Sequence, residues 1–311
     1  EMIFLYFLVL NVVKNEEQQK ALVIIMSVVV LLISIRSYRD FTGGSVFSYD
    51  KRYGGPFETV GLGANHLGAF IVYTSAVFLG LFFYDNDKKR KWLYIATVLF
   101  SLHPLFFSYS RGAYLAALGV LSFYAVVKKK SLLILVAVIF LAWQTLLPAS
   151  VVDRITMTQT ETGELEGSAA HRLVLWDHAI DLFKQNPAFG VGFGGFGFAV
   201  PKGETLTDTH NFYLKTLSEQ GVIGLFFLLL ILLMAMRSGF ILLKIGKTPF
   251  YQGLGFGFMG CIIAYGIKNM TGDSWSFFAV SGYFWTFWGL VDRGILLSKD
   301  SNPKTAKSLT T

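Results

Sequence analysis

The chain has 311 residues, 53% of them hydrophobic and 15% charged, and 27 basic against 20 acidic side chains leave a net charge of +7. Apolar blocks of about 20 residues, the length a helix needs to cross a hydrocarbon core ~30 Å thick, recur along it with the charges confined to short intervals between them. That excludes an ordinary soluble domain, and the basic surplus reads as a topology signal rather than as a nucleic-acid footprint.

Taken in chain order, spanning helices are expected near 2–13, 21–38, 63–84, 92–109, 112–127, 131–148, 212–236, 251–270 and 276–296. The fold class is therefore all-α, a polytopic transmembrane helix bundle. The first run follows Glu1 directly with no basic segment before it, so the chain is expected to be a fragment whose first crossing or crossings are missing. The single cysteine, Cys261, lies in an apolar segment and permits no internal disulfide.

Three compact basic connections lie at Asp85 to Lys91, Lys128 to Lys130 and Arg237 to Lys247, and a Lys-containing tail follows Asp292. All four are expected to face the cytoplasm. One alternating path satisfies them, and it sets 39–62, the turn at Ser110-Arg111, the long segment 149–211 and the short 271–275 on the outer side. The expected organisation is N-terminal transmembrane helices over 1–148, an extracytoplasmic loop over 149–211, C-terminal transmembrane helices over 212–296 and a cytoplasmic tail over 297–311. A connection as long as 149–211, neither low in complexity nor highly charged, reads as a folded cap.

Within that loop Ser168 is placed to cap a helix running to about Gln185, with Leu173, Trp176, Ile180 and Phe183 on one apolar face turned to the bilayer or the bundle. Asn186-Pro187 stops it, because proline has no N–H for the ladder and restricts the residue before it. The stretch Gly190 to Gly197 contains a literal G-x-G-x-x-G at Gly192, Gly194 and Gly197. No strand precedes it and no helix with an acidic ribose partner follows, so it reads as an aromatic-studded turn and not as a dinucleotide site.

Arginines on the outer side run against the positive-inside bias, and on this topology there are six: Arg36, Arg39, Arg52, Arg111, Arg154 and Arg172. Arg36, Arg39 and Arg154 are read as snorkelling to headgroups. Arg111 sits in a turn of almost no length between two crossings, and a guanidinium suits bidentate binding of phosphate oxygens. His210 closes the long loop, and an imidazole with an unperturbed pKa of about 6.5 can accept a proton at neutral pH. Gly221 and Gly224 follow on the same helix, where small residues would let another helix approach. His66, His103, His171 and His178 are taken as structural or interfacial. No H-E-x-x-H, Cys/His cluster or outer D-x-D is present in the sequence, so no tightly bound metal or other cofactor is implied.

At this point three stretches resemble the O-antigen ligase superfamily of membrane glycosyltransferases, which includes O-antigen ligases, O-antigen and exopolysaccharide polymerases, and some protein O-oligosaccharyltransferases. They are Ser110-Arg111-Gly112-Ala113; Arg172-Leu173-Val174-Leu175-Trp176 continuing through Asn186-Pro187 to Gly190-Val191-Gly192; and His210-Asn211 followed after nine residues by Gly221-Val222-Ile223-Gly224. Gly61 to Phe70, with Asn65-His66-Leu67, resembles an earlier Asn-containing helix start of the family. The family has more crossings than this chain, which agrees with a missing N-terminal portion.

The resemblance implies a bacterial inner-membrane enzyme of lipopolysaccharide or other polysaccharide biosynthesis, with its site on the periplasmic side. It would move a glycan from undecaprenyl pyrophosphate to a hydroxyl of a glycan, a lipid A core or a protein, among membrane lipids and without nucleic acid. Two tasks then remain for the protein: neutralising charge on the leaving pyrophosphate and taking a proton from the attacking hydroxyl. Arg111 and Arg172 suit the first, with Arg52 and Lys51 beside it as additions to the clamp, and His210 suits the second. The expected reaction is a metal-independent, inverting transfer, with Asn211, Gly221 and Gly224 as motif residues. A polymerase of the same superfamily is the near alternative, a lipid-linked glycan flippase is the rival from another class, and a non-catalytic scaffold is the third reading.

Overall fold

The computed structural model describes residues 2–42, 46–157, 167–199 and 208–300. Among these there is no strand. The helices are α1 (Ile3–Val12), α2 (Glu16–Asp40), α3 (Ala64–Tyr84), α4 (Lys88–Phe107), α5 (Arg111–Val127), α6 (Leu132–Leu146), α7 (Ala149–Thr156), α8 (Gly167–Gln185), α9 (Phe196–Ala199), α10 (Phe212–Ile245), α11 (Pro249–Lys268) and α12 (Phe278–Asp300), with two 3-10 turns at Tyr49–Lys51 and Gly55–Val60. Each expected crossing coincides with a helix, so the chain is a polytopic helical bundle.

Four of the helices, α2, α3, α10 and α11, are long and apolar enough to cross a membrane on their own. The pair α6 and α7 qualifies together but is bent by 105° between them, while α1 and α5 are shorter apolar helices. The break has a local cause, since Pro148 between α6 and α7 cannot continue the first helix yet serves as N-cap residue of the second. α7 therefore turns away from the bundle axis and lies across its end.

α11 is the central post of the bundle because its glycines let three neighbours close on it. A Cβ on Gly257 would stand 2.5 Å from the Val77 carbonyl oxygen of α3, and one on Gly255 would stand 2.6 Å from the Gly239 carbonyl oxygen of α10. Such backbone approach is how membrane helices gain dispersion energy where lipid is as apolar as leucine. Tyr124 of α5 adds a buried hydrogen bond from its hydroxyl to the Ala76 carbonyl at 2.6 Å, and Tyr73 stacks on Tyr265 with ring centres 3.8 Å apart.

α2 and α4 are joined differently, by a ladder of polar groups. Ser27 meets Thr97, Ser34 meets Ser101 and Ser37 meets the Nδ1 of His103, each at 2.9 Å. Buried hydroxyls need partners in an apolar surround, and pairing across two helices supplies them at roughly 0.6 kcal/mol per contact. His103 thus has the structural role expected of it.

α10 is too long for one crossing: at about 1.5 Å per residue it measures about 51 Å against a core of about 30 Å. It breaks at Gly221, which holds φ 64 and ψ −165. The expected reading of Gly221 and Gly224 as a seat for another helix is corrected here. What lies against Gly221 is the backbone of the Asn186-to-Gly192 turn, where a Cβ would strike the Ala188 carbonyl, and a Cβ on Gly224 would meet only Gln220 of its own helix. The break frees backbone groups, and the turn satisfies them: Val191 N–H donates to Ser218 O at 3.0 Å, Gly192 N–H to Glu219 O at 2.9 Å, and Val222 N–H to Pro187 O at 2.9 Å.

α8 also departs from expectation. Its described part runs over Gly167–Gln185 and includes Ser168. The face it buries is Leu175, Ala179 and Leu182 on Phe196, with Trp176, Val191 and Leu214 around them, whereas Leu173 and Ile180 of the expected face stay exposed. Apolar residues occupy both sides of α8, and spacing alone does not tell which side meets protein. At the C-terminus α12 continues past the expected boundary at 296 to Asp300, and the tail from 301 lies outside the described residues, as do 158–166 and 200–207 of the long loop.

Candidate functional site

The site forms where four short connections meet at one end of the bundle. α4 ends at Phe107, and the chain reverses through Ser108, Tyr109 and Ser110 into α5, with Tyr109 at φ 50. Two bonds lock this left-handed residue: Tyr109 N–H donates to Phe106 O at 3.1 Å, and its hydroxyl donates to the Ser150 hydroxyl of α7 at 2.9 Å. The reversal delivers Arg111 as the first residue of α5. Its guanidinium donates to the Met157 carbonyl at 3.0 Å just past α7.

The 3-10 turn before it brings Arg52 against the same reversal. Nε and Nη2 of Arg52 both donate to the Ser108 carbonyl, at 3.0 and 2.9 Å, and Nη2 also donates to Oδ1 of Asn65 at 2.8 Å. From the other side the 105° turn of α7 sets Arg154 over the aromatic rings of Phe47 and Tyr49, its guanidinium carbon 5.0 Å from each centre. α8 contributes His171 and Arg172 from its first turns.

His210 completes the wall from the start of α10. Asn211 caps that helix, its Oδ1 accepting from Tyr213 N–H at 3.1 Å and Leu214 N–H at 3.2 Å. His210 itself holds φ 51, a left-handed conformation that costs a non-glycine residue on the order of 1–2 kcal/mol. Its neighbours over-determine it: Trp176 Nε1 of α8 donates to Thr209 O at 3.0 Å, and Phe212 N–H donates to Asn269 O at 2.9 Å at the end of α11. A strained residue held this firmly marks a position whose direction matters.

These groups enclose a cavity of about 160 Å³ lined by Tyr49, Arg52, Asn65, Tyr109, Arg111, Arg154, His171, Arg172 and His210. Four guanidiniums face it, and among the described residues that line it none is acidic. Burial, and then the neighbouring guanidiniums of Arg154, Arg172 and Arg111, pull Arg52 down to about 10. Burial, then Arg111 and Arg172, pull Arg154 to about 10 as well. Both remain cations at neutral pH, and their mutual repulsion is the reason an anion of several charges would be favoured between them. His210 is held below the ordinary histidine value by burial first; Asp208 raises it, while Arg172, His171 and Lys268 lower it further. It is thereby kept in the neutral, proton-accepting form.

Below the cavity lies an apolar groove of about 480 Å³ between α3, α4, α5 and α6. Two helices join the two spaces. α5 places Arg111 at the cavity and Tyr114 at the groove, and α7 places Arg154 at the cavity and Val151 at the groove, each pair three residues apart.

Of the residues singled out from sequence, Arg52, Arg111, Arg172 and His210 share this one cavity, while Lys51 is exposed and does not line it. Asn211, Gly221 and Gly224 lie off it, the first as a cap and the second at the helix break. Arg154 is corrected from a snorkelling residue, since it is 5% exposed and lines the cavity, and His171, read as structural or interfacial, lines it too. The same signal that marked Arg111, an arginine against the topology bias, was present at Arg154. The bend that turns α7 inward was not visible. Among the described residues no group of three or more His, Cys, Asp or Glu side chains could hold a metal ion.

The chain is a multi-pass helical bundle in which several elements converge on a cluster of guanidiniums with His171 and His210, and an apolar groove lies among its helices. Residues 95–229, from α4 to the middle of α10, match the family model described as O-antigen ligase. That stretch is thus similar to the O-antigen ligase superfamily, a group of glycosyltransferase-like ligases and polymerases. A search of curated proteins finds no match to the chain.

Proposed function

We propose that this protein transfers a glycan from undecaprenyl pyrophosphate, or a like polyprenyl pyrophosphate, to an acceptor hydroxyl at the outer face of the bacterial inner membrane. The single observation that carries the reading is that α5 and α7 each set one residue on the cationic cavity and another, three positions away, on the apolar groove. A donor of this kind has two parts that differ in just this way, a diphosphate with several charges and a long hydrocarbon tail. The diphosphate sits among Arg52, Arg111, Arg154 and Arg172, and the tail runs down the groove between α3, α4, α5 and α6.

The chemistry follows from the charges. The bond from the anomeric carbon to the diphosphate oxygen breaks as the acceptor oxygen bonds to the opposite face of that carbon, so configuration inverts. The diphosphate leaves with the bonding electron pair, and the guanidiniums stabilise the charge that develops on it, a role no divalent cation is needed to fill. His210 takes the proton of the attacking hydroxyl. The acceptor is a sugar of a lipid A core, a protein hydroxyl or the end of another lipid-linked chain; the ligase and polymerase readings differ in that group alone.

The test is transfer by the purified protein in liposomes supplied with labelled lipid-linked donor, with and without lipid A core acceptor, in the presence of EDTA. Transfer is expected to persist with chelator and to vanish in His210→Ala. Wild-type turnover by His210→Ala would remove the base, and loss of turnover on chelation would remove the metal-free mechanism. Passage of intact donor across the bilayer with no transfer would favour the flippase.

A further inference from the structure

We infer that Asp208 is a positioning residue for His210: its carboxylate holds the His210 backbone and stands beside Nδ1 of the ring, which favours Nε2 as the nitrogen offered to the acceptor hydroxyl, and a Lys215–Asp273 pair lies next to it in turn. The inference rests on the glycosyl-transfer reading and extends it to a residue that neither the motif nor the cavity lining includes.

The geometry is a chain of four side chains. Oδ2 of Asp208 stands 3.7 Å from Nδ1 of His210, while its Oδ1 accepts the His210 backbone N–H at 3.3 Å. One carboxylate therefore touches the left-handed backbone of His210 and stands beside Nδ1 of its ring. Lys215, on the first turn of α10, brings its ammonium to 4.0 Å from Oδ1 of Asp208 and 2.8 Å from Oδ2 of Asp273. Asp273 is fixed in turn, accepting from the Ser276 N–H at 3.0 Å and the Ser276 hydroxyl at 2.6 Å.

An imidazole has two nitrogens, and a base must keep the right one free. A carboxylate beside Nδ1 favours the neutral tautomer that carries its proton there, which leaves the lone pair of Nε2 for the substrate. When Nε2 takes the hydroxyl proton, the resulting imidazolium stands beside a negative charge in an otherwise cationic pocket. The charges that bear on His210 from the surrounding elements are Arg172 and His171 of α8 and Lys268 at the end of α11, all opposing protonation; Asp208 favours it. Without that carboxylate the imidazolium would meet cations alone. Lys215, itself paired with Asp273, borders that carboxylate from the first turn of α10.

Asp208→Asn is the discriminating change, because an amide keeps an oxygen for the His210 N–H while losing the charge. Measured in the same liposome assay, kcat is expected to fall by about tenfold or more, with KM for the donor unchanged. The acid limb of kcat/KM should move to lower pH, since removing an anion makes the imidazole harder to protonate. Thermal unfolding at the wild-type midpoint, together with loss of transfer in His210→Ala, completes the expected result. Wild-type kcat and pH profile in Asp208→Asn, with His210→Ala inactive, would overturn the inference and leave the glycosyl-transfer reading standing. A fall in kcat without movement of the acid limb would also overturn it, reducing Asp208 to a structural role. Full activity in His210→Ala would sink both.

Discussion

The carboxylate of Glu219 accepts the backbone N–H of Gly194 at 3.0 Å, across the break in α10 and into the glycine-rich turn. The other oxygen accepts from Phe196 N–H at 3.3 Å, and the side chain is buried. An apparent nucleotide-type glycine motif is thus the receptor for a carboxylate of the protein itself. Glu219→Ala would take the acceptor from the exposed Gly194 and from the buried Phe196 N–H, the latter at about 1–3 kcal/mol. A lowered thermal midpoint and faster proteolysis between 186 and 199 are expected, with Glu219→Gln falling between the variant and the wild type.

Gly221 should tolerate no side chain. Its φ of 64 disfavours any L residue, and an added Cβ would run into the Ala188 carbonyl. Gly221→Ala is expected to cost more than the roughly 1–2 kcal/mol of the left-handed conformation alone, since the turn must also move away. Loss of folded protein on size exclusion, against intact Gly224→Ala, which meets only the flexible Gln220, would separate the two motif glycines.

Arg52→Lys should weaken donor binding even though the charge is kept. A lysine cannot donate to Ser108 O through two nitrogens while also reaching Asn65 Oδ1. A KM for the donor raised by about tenfold, equivalent to about 1.4 kcal/mol, is expected. Lys51→Ala, at the exposed neighbour, should leave KM where it was; an equal effect at both positions would argue against a defined clamp.

The pH dependence has a definite sign. His210 acts as the neutral base, and burial with Arg172, His171 and Lys268 lowers its pKa in the folded protein despite Asp208. Activity should therefore survive acidification past the ordinary histidine value, with the acid limb of kcat/KM centred below about 6.5. A limb above that value would contradict the environment described for the ring.

Filling the groove should distinguish tail from headgroup. Ala117 lines it midway along α5, and Ala117→Trp is expected to raise KM for a donor with a full polyprenyl tail while sparing one with a truncated tail. Equal effects on both donors would place the tail elsewhere.

What the sequence determined by itself was the class of molecule, a polytopic helical bundle, and a helix at each of the expected apolar runs. Those depend on summed apolar character over about 20 residues, a local quantity that no neighbour can reverse. Arg52, Arg111, Arg172 and His210 could be singled out from the sequence as well, because arginines against the expected positive-inside bias are conspicuous one by one. Only the tertiary structure decided which of them meet. Arg154 came inward through a 105° bend after α6, Lys51 stayed outside although adjacent to Arg52, and Gly221 proved to be a break receiving a turn of backbone. The face that α8 buries fell to Leu175, Ala179 and Leu182 for the same reason. Each of these depends on which surface packs against which, and in a helix apolar on both sides or a connection free to bend, local pattern is equally compatible with either outcome until the contacts are made.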